Sequence, residues 1–193
     1  MKPDLLFETI RCEDGLAVHL DYHQKRLVSS LQCLGSKTHF DLDKLLIPPP
    51  NGLYRCRFIY DADSYRIEYH PYLPRTINSL RLIADETVHY PLKYTHRDEL
   101  NALFERRGTC DDVLIVKDGI LKDTTIANIA LKINGQWITP QTPLLYGTTR
   151  ARLIDEGFLK PAILTTDDLS HTQKVAIMNA MVGFVEIENG IIT

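Results

Sequence analysis

The hydrophobic and polar positions of the chain mark out most of its elements before any chemistry is considered. Leu5 to Ile10 predicts a strand, closed by a turn at Glu13-Asp14-Gly15. Asp21 is a helix-capping candidate for a stretch in which apolar and polar residues interleave through Leu34, with Gly35 as the stop. Pro48-Pro49-Pro50-Asn51-Gly52 is a rigid break. Leu53 to Tyr60 and Ser64 to His70 predict two strands, with Asp61-Ala62-Asp63 between them as a hairpin turn. Two prolines within Pro71-Tyr72-Leu73-Pro74 forbid a regular helix or a central strand, so a linker is expected over residues 71–76.

Beyond the linker, Ser79 to Ala84 predicts a strand. Thr95, with Asp98 three residues on, resembles a capping box and predicts a helix to about Arg107, stopped by Gly108. Val113 to Val116, Ile126 to Ile133 and Trp137 to Thr139 predict three strands, the last two joined by an Asn134-Gly135 hairpin. Gly147-Thr148-Thr149 opens a helix that ends before Gly157, whereas Val175 to Met181 fits strand and helix equally. The expectation is an α+β chain of two lobes: a small domain over 1–70 and a larger one over 77–193.

Composition narrows the function classes. A chain of 193 residues with 44% hydrophobic and 24% charged residues can bury a core without a staple. A net charge of -3 gives no reason to expect nucleic acid or an anionic membrane as partner. Cys12, Cys33, Cys56 and Cys110 form no Cys-x-x-Cys pair and no cluster of zinc spacing, so no metal is expected. No apolar run reaches the ~20 residues of a membrane span, and the start carries no leader pattern. The expected setting is the reducing cytoplasm.

Five features carry candidate chemistry, each with a blander alternative. Lys93, in Pro91-Leu92-Lys93-Tyr94-Thr95, lies at an element boundary among apolar residues, where desolvation would make its amine a nucleophile; most lysines instead keep the head in water. Gly147-Thr148-Thr149-Arg150 offers free N–H groups at a helix start, suited to a phosphate, or is a plain cap. Asp123, beside a buried strand, can face a ring nitrogen or merely serve a turn. Arg26, in His23-Gln24-Lys25-Arg26, can clamp a phosphate or be solvated. Arg55 and Arg57 share one strand face and form a carboxylate-sized positive patch, or one wet side of a sheet.

The order of these landmarks is more informative than any one of them. Phe7-Glu8-Thr9-Ile10-Arg11, His23-x-x-Arg26, Lys93, Asp123-x-x-x-x-Asn128, Trp137-x-Thr139-Pro140, Leu145-x-Gly147-x-Thr149-Arg150 and Met178-Asn179-Ala180 follow one another as in the class IV aminotransferase family. The resemblance spans about residues 5 to 185. It implies a fold type IV pyridoxal-phosphate enzyme, D-amino acid aminotransferase-like, with pyridoxal 5'-phosphate in the cleft between two domains. Carried over, Lys93 would hold the cofactor covalently and shuttle the Cα proton. Asp123 would face the ring nitrogen. Arg26, Thr148 and Thr149 would bind the phosphate, with Asn179 and Ala180 on the loop that closes it, and Arg97 would belong to the cofactor site.

Around the lysine the chain is most similar to aminodeoxychorismate lyases. Leu92-Lys93-Tyr94-Thr95-His96-Arg97 resembles their Leu-Lys-x-x-Asn-Arg pattern, and Met178-Asn179-Ala180-Met181 is also lyase-like. Such a lyase of folate biosynthesis forms para-aminobenzoate and pyruvate by proton loss at Cα and elimination of the pyruvate side chain; Arg11 and Arg57 would meet the substrate carboxylates. An aminotransferase for D- or branched-chain amino acids and a non-catalytic cofactor-binding relative are the alternatives; a two-lobed domain without cofactor would leave the ordered landmarks unexplained. Three departures from the family pattern stand out: His96 stands where the lyases favour asparagine, Asp123 replaces a glutamate, and Phe7-Glu8-Thr9 lacks the strand and aromatic-bearing segment that normally precede it. The resemblance also implies a homodimer and a small-molecule amino substrate.

Overall fold

The computed structural model describes residues 5–188 and 190–192. By contacts the chain divides into two units, Met1–Pro74 with Leu92–His96, and Arg75–Pro91 with Arg97–Thr193.

The first unit is an antiparallel sheet with a helix on one face. Its elements are β1 (Leu6–Glu13), β2 (Leu16–Ala17), α1 (Leu20–Cys33), the short α2 (Leu42–Leu45), β3 (Leu53–Tyr60) and β4 (Tyr65–Pro71), in sheet order β2-β1-β3-β4. Successive side chains leave a strand on opposite faces. Leu6, Ile10 and Cys12 of β1 therefore join Cys56, Phe58 and Tyr60 of β3 in a core that Leu27 and Leu31 of α1 cover. Phe7, Thr9 and Arg11 point the other way, and the register sets Phe7 opposite Ile59, Thr9 opposite Arg57 and Arg11 opposite Arg55. The predicted hairpin is present: Asp61 accepts from the N–H groups of Asp63 and Ser64.

Two details of this unit differ from the sequence-based expectation. α1 is capped by His19 in a left-handed conformation, not by Asp21. Asp21 lies inside the first turn, where its charge meets the positive end of the helix dipole. The larger difference is Leu92–His96, which a single split near residue 74 assigns to the second domain. This segment pairs with β1 instead: Phe7 N–H donates to the Lys93 carbonyl (2.9 Å), Thr95 N–H donates to the Leu5 carbonyl (2.8 Å), and Leu6 bridges Tyr94. Leu92 and Tyr94 pack on the first unit's core. Thr95 is thus held in the pairing rather than available as a helix cap, and the expected capping box does not form; α3 (Asp98–Glu105) begins after Arg97 with no side-chain cap.

The second unit holds two sheets. One is ordered β13-β5-β6-β7, from β5 (Leu80–Ala84), β6 (Asp112–Lys117), β7 (Ile120–Leu121) and β13 (Ile191–Ile192). The other is ordered β10-β9-β8-β11-β12, from β8 (Asn128–Ile133), β9 (Gln136–Pro140), β10 (Leu159–Ala162), β11 (Lys174–Asn179) and β12 (Gly183–Ile187). Leu80, Leu114, Leu121, Ile129, Leu131 and Ile177 form the core that the two sheets share. α4 (Thr148–Asp155) covers the far face of the second sheet through Leu153, against Ala130, Trp137, Ala176 and Met178. The run from Val175 that fits two structures is therefore a strand, apolar without alternation because both its faces are covered. Asn134 and Gly135 both have positive φ, 51° and 79°, as a type I′ hairpin turn requires.

Candidate active site

In the first unit the site is built on the face of β1 and β3 away from the core. Lys93 is half-buried, in the middle of a three-residue turn closed by the Tyr94 N–H on the Leu92 carbonyl. Its Nζ lies 4.7 Å from the centre of the Phe7 ring, and the Arg57 guanidinium lies 5.1 Å from the same centre. Both cations use the negative face of one aromatic ring. Arg55 and Arg57 do share a face, as their spacing predicts, and the register adds Arg11 to it. Arg11 is held by Glu13, 2.8 Å away, and Arg57 faces Glu68 at 3.5 Å.

On the core side of β1, Glu8 is wholly buried. It accepts from Arg26 Nε (2.9 Å) and Nη2 (2.5 Å) and is bonded to His23 Nδ1 (2.7 Å). Burial pushes the Glu8 carboxyl up, but the Arg26 charge and the hydrogen bonds from His23 and Arg26 together outweigh it and hold the group at about 2. Burial also lowers His23, against the pull of Glu8 and with the Arg26 and Lys93 charges reinforcing it. At neutral pH the pair is therefore an ionised Glu8 and an uncharged His23. An ionised carboxylate only accepts, so Nδ1 carries the imidazole proton.

In the second unit, Asp123 is wholly buried just before β8. Asn128 Nδ2 donates to its Oδ1 (2.8 Å) and the Leu145 N–H to its Oδ2 (2.9 Å). The same Asn128 nitrogen donates to the Leu145 carbonyl (2.8 Å). Burial pushes the Asp123 carboxyl up to about 6, against those bonds and the nearby Arg150 charge. The Asn128 amide abuts the start of α4: a Cβ on Gly147 would fall 1.9 Å from Asn128 Oδ1, so only glycine fits there. Gly147 caps the helix without a side-chain hydrogen bond, and Thr148 and Thr149 follow, both buried, with no acidic residue in the first turn. Arg97 Nη2 donates to the Thr125 carbonyl (2.5 Å), and Asn179 Nδ2 to the Ile126 carbonyl (3.3 Å). Asn179 Oδ1 also accepts from Met181 and Val182, shaping the turn that holds Ala180. Arg97, Asp123, Thr148, Thr149 and Asn179 thus all belong to the second unit, on hydrogen-bonded loops and the element ends beside them, while Arg11, Arg26, Arg57 and Lys93 belong to the first unit.

Several contributors went unassigned at the sequence level. Glu8 and His23 were landmarks without a role, yet a carboxylate on the apolar face Leu6-x-x-x-Ile10 signals a buried partner. Asp112, buried at the start of β6, accepts from Thr125 Oγ1 at 2.8 Å and so fixes the loop after Asp123. The Leu145 N–H is a backbone donor that no side-chain pattern reveals. Among the described residues there is no cluster of metal-ligating side chains and no helix long and apolar enough to cross a membrane.

Comparison with known proteins identifies the family of the chain. The family model Amino-transferase class IV matches residues 62–189, more than half of the chain. An uncharacterised protein of Haemophilus influenzae is 34% identical over 184 residues, covering 92% of this chain and 98% of that protein. The crystal structure of a "putative 4-amino-4-deoxychorismate lyase" from Haemophilus somnus 129PT superposes with a TM-score of 0.87 at 33% identity, covering 95% of this chain and 99% of that one. At 17% identity, the structure of a Brucella abortus aminotransferase bound to pyridoxal phosphate shares the fold, with a TM-score of 0.77 over 98% of this chain and 81% of that one. From the matched residues and the near full-length likeness together, this chain belongs to the class IV aminotransferase family.

Proposed function

We propose that the protein is a pyridoxal-phosphate-dependent enzyme acting at Cα of an amino-group substrate, and that this substrate is aminodeoxychorismate. The buried, doubly hydrogen-bonded carboxyl of Asp123 carries the cofactor part of this reading. Burial drives it to about 6 although two donors hold it. A protonated ring nitrogen beside it would favour the carboxylate, and the carboxylate would hold that proton in place. The start of α4, with Gly147 as cap and buried Thr148 and Thr149, suits the phosphate of the same cofactor. The residues present therefore fit the group that the Brucella relative carries.

Pyridoxal phosphate, when bound, supplies an electron sink for negative charge at Cα. The protein's own residues do the rest. Lys93 would hold the cofactor through its amine and would take and return the proton at Cα of the substrate. Arg26, Thr148 and Thr149 would hold the phosphate, and Arg97, Asn179 and Ala180 would complete the cofactor site. Arg11 and Arg57, on the sheet face beside Lys93, take the two carboxylates of the substrate. An arginine-bearing face next to the reactive amine suits a dicarboxylate better than an aliphatic amino acid, and the Haemophilus somnus relative bears a lyase name. An aminotransferase would use the same lysine and the same proton transfer. By family analogy the working form is a homodimer, which light scattering of the purified protein checks.

Borohydride reduction followed by peptide mapping tests the cofactor assignment. The expected result is a pyridoxyl adduct on the peptide holding Lys93 and none in a Lys93→Ala variant; an adduct that survives the substitution overturns it. Consumption of aminodeoxychorismate with release of pyruvate then identifies the lyase. Bleaching of the visible band by amino donors, without pyruvate release, identifies the aminotransferase instead.

A further inference from the structure

We infer that Glu8 and His23 are positioning residues that set Arg26 for the cofactor phosphate, an inference that rests on the proposal that Arg26 meets that phosphate. Glu8 and His23 are essentially inaccessible, whereas the Arg26 side chain keeps 14% of its exposure. Arg26 is therefore the member of the cluster that reaches the surface. His23 and Arg26 are three residues apart on α1 and share a helix face. That face meets Glu8 on β1, so a single carboxylate collects both side chains: Arg26 through Nε and Nη2, His23 through Nδ1.

The bidentate contact does more than neutralise a charge. It fixes the plane of the guanidinium, because two parallel N–H bonds to one carboxylate leave it no rotation. His23, uncharged, donates to the oxygen that Arg26 Nη2 also uses, and so orients the carboxylate without adding a third charge. The other ionisable groups that act on this cluster are Tyr60 of β3, whose hydroxyl is pushed up by burial and by the Glu8 charge, and Lys93, whose charge disfavours protonation of His23. A long arginine side chain ordered before its ligand arrives loses less freedom on binding. The cluster thus supplies a pre-set phosphate donor on a rigid strand and helix, not on a loop.

A structural role alone would lower stability but would not distinguish ligands with and without a phosphate. The test is equilibrium binding of pyridoxal 5'-phosphate and of pyridoxal to wild type, Glu8→Gln and Arg26→Met, followed by the visible band. If the inference holds, both variants weaken pyridoxal phosphate by about tenfold or more, the scale of a charge-assisted contact, while pyridoxal affinity changes less than about twofold. Should Arg26→Met show that phosphate-specific loss and Glu8→Gln not, or should Glu8→Gln weaken both ligands alike, the positioning role is refuted and the phosphate assignment stands. If Arg26→Met fails to separate the two ligands, the phosphate assignment itself falls and takes the inference with it. Where Glu8→Gln does not fold, Glu8→Asp keeps the charge but withdraws it by one methylene, and the same ratio of affinities decides.

Discussion

Asn128→Ala removes one amide that serves two acceptors, Asp123 Oδ1 and the Leu145 carbonyl, and the size of its effect depends on pH in a way the structure dictates. Above the folded-state value of about 6, Asp123 is ionised. Losing a donor to a buried carboxylate then costs about 1.5–3 kcal/mol, and the carbonyl left without that partner adds about 1 kcal/mol. For a chain of this size the sum corresponds to a fall in Tm of roughly 6–12 °C at pH 8. Near pH 5 most of the folded protein carries a protonated Asp123, so the charged contribution drops out and about 2–4 °C remains. The sign follows from linkage. The Asp123 value is raised on folding, so its stabilising contribution is complete below about 4 and is lost as pH rises through about 6. Removing Asn128, which lowers that value, extends the loss to higher pH. Differential scanning fluorimetry of wild type and variant, stripped of any carbonyl cofactor, from pH 5 to pH 8 measures both slopes. A Tm difference that stays constant across that range would refute the argument that Asn128 acts chiefly on the ionised carboxylate.

Three further outcomes are expected. Gly147→Ala places a methyl 1.9 Å from Asn128 Oδ1, and the overpacking should cost about 1–3 kcal/mol in urea unfolding. Because the Glu8 carboxyl is held at about 2 against an ordinary 4.5, stability should fall as pH drops from about 4.5 towards 2, by an amount on the order of 3 kcal/mol; Glu8→Gln should flatten that limb of an acid-unfolding curve. Arg57→Leu should change stability by less than about 1 kcal/mol, since its ion pair is partly exposed, yet should raise KM for a carboxylate substrate about tenfold or more; an unchanged KM excludes Arg57 from the substrate site.

Much of the architecture was legible because strong local patterns and tertiary packing agreed. The strand over 53–60, the Asp61 hairpin, the Asn134-Gly135 turn and the helix opening at Gly147 all follow from period and turn chemistry. The failures occurred where a distant partner overrode a local signal. Thr95 has the spacing of a cap, but its N–H is taken by Leu5, ninety residues earlier in the chain. Asp21 has the chemistry of a cap, but His19 turns the chain two residues sooner. The grouping of Lys93 with β1 leaves no trace in composition or period, because it is made by backbone hydrogen bonds. Likewise Asn128 was visible only as a landmark; its role depends on the approach of Gly147, which is a property of the folded loop.

The backbone bonds of Phe7 and Thr95 also bear on how the chain tolerates change in length. Residues 85–91 join β5 to the turn that carries Lys93, and the height of that amine along β1 is fixed by the strand, not by the connecting loop. Insertions at exposed Glu86-Thr87 should therefore leave the amine over the Phe7 ring. A one-residue slip in the pairing of 92–96 with β1 would instead move it by a full residue spacing and carry it to the wrong side of the sheet. For a designer the place to graft is exposed Glu86-Thr87, since Val88 and Tyr90 beyond it are buried, and residues 92–96 are the ones to leave untouched.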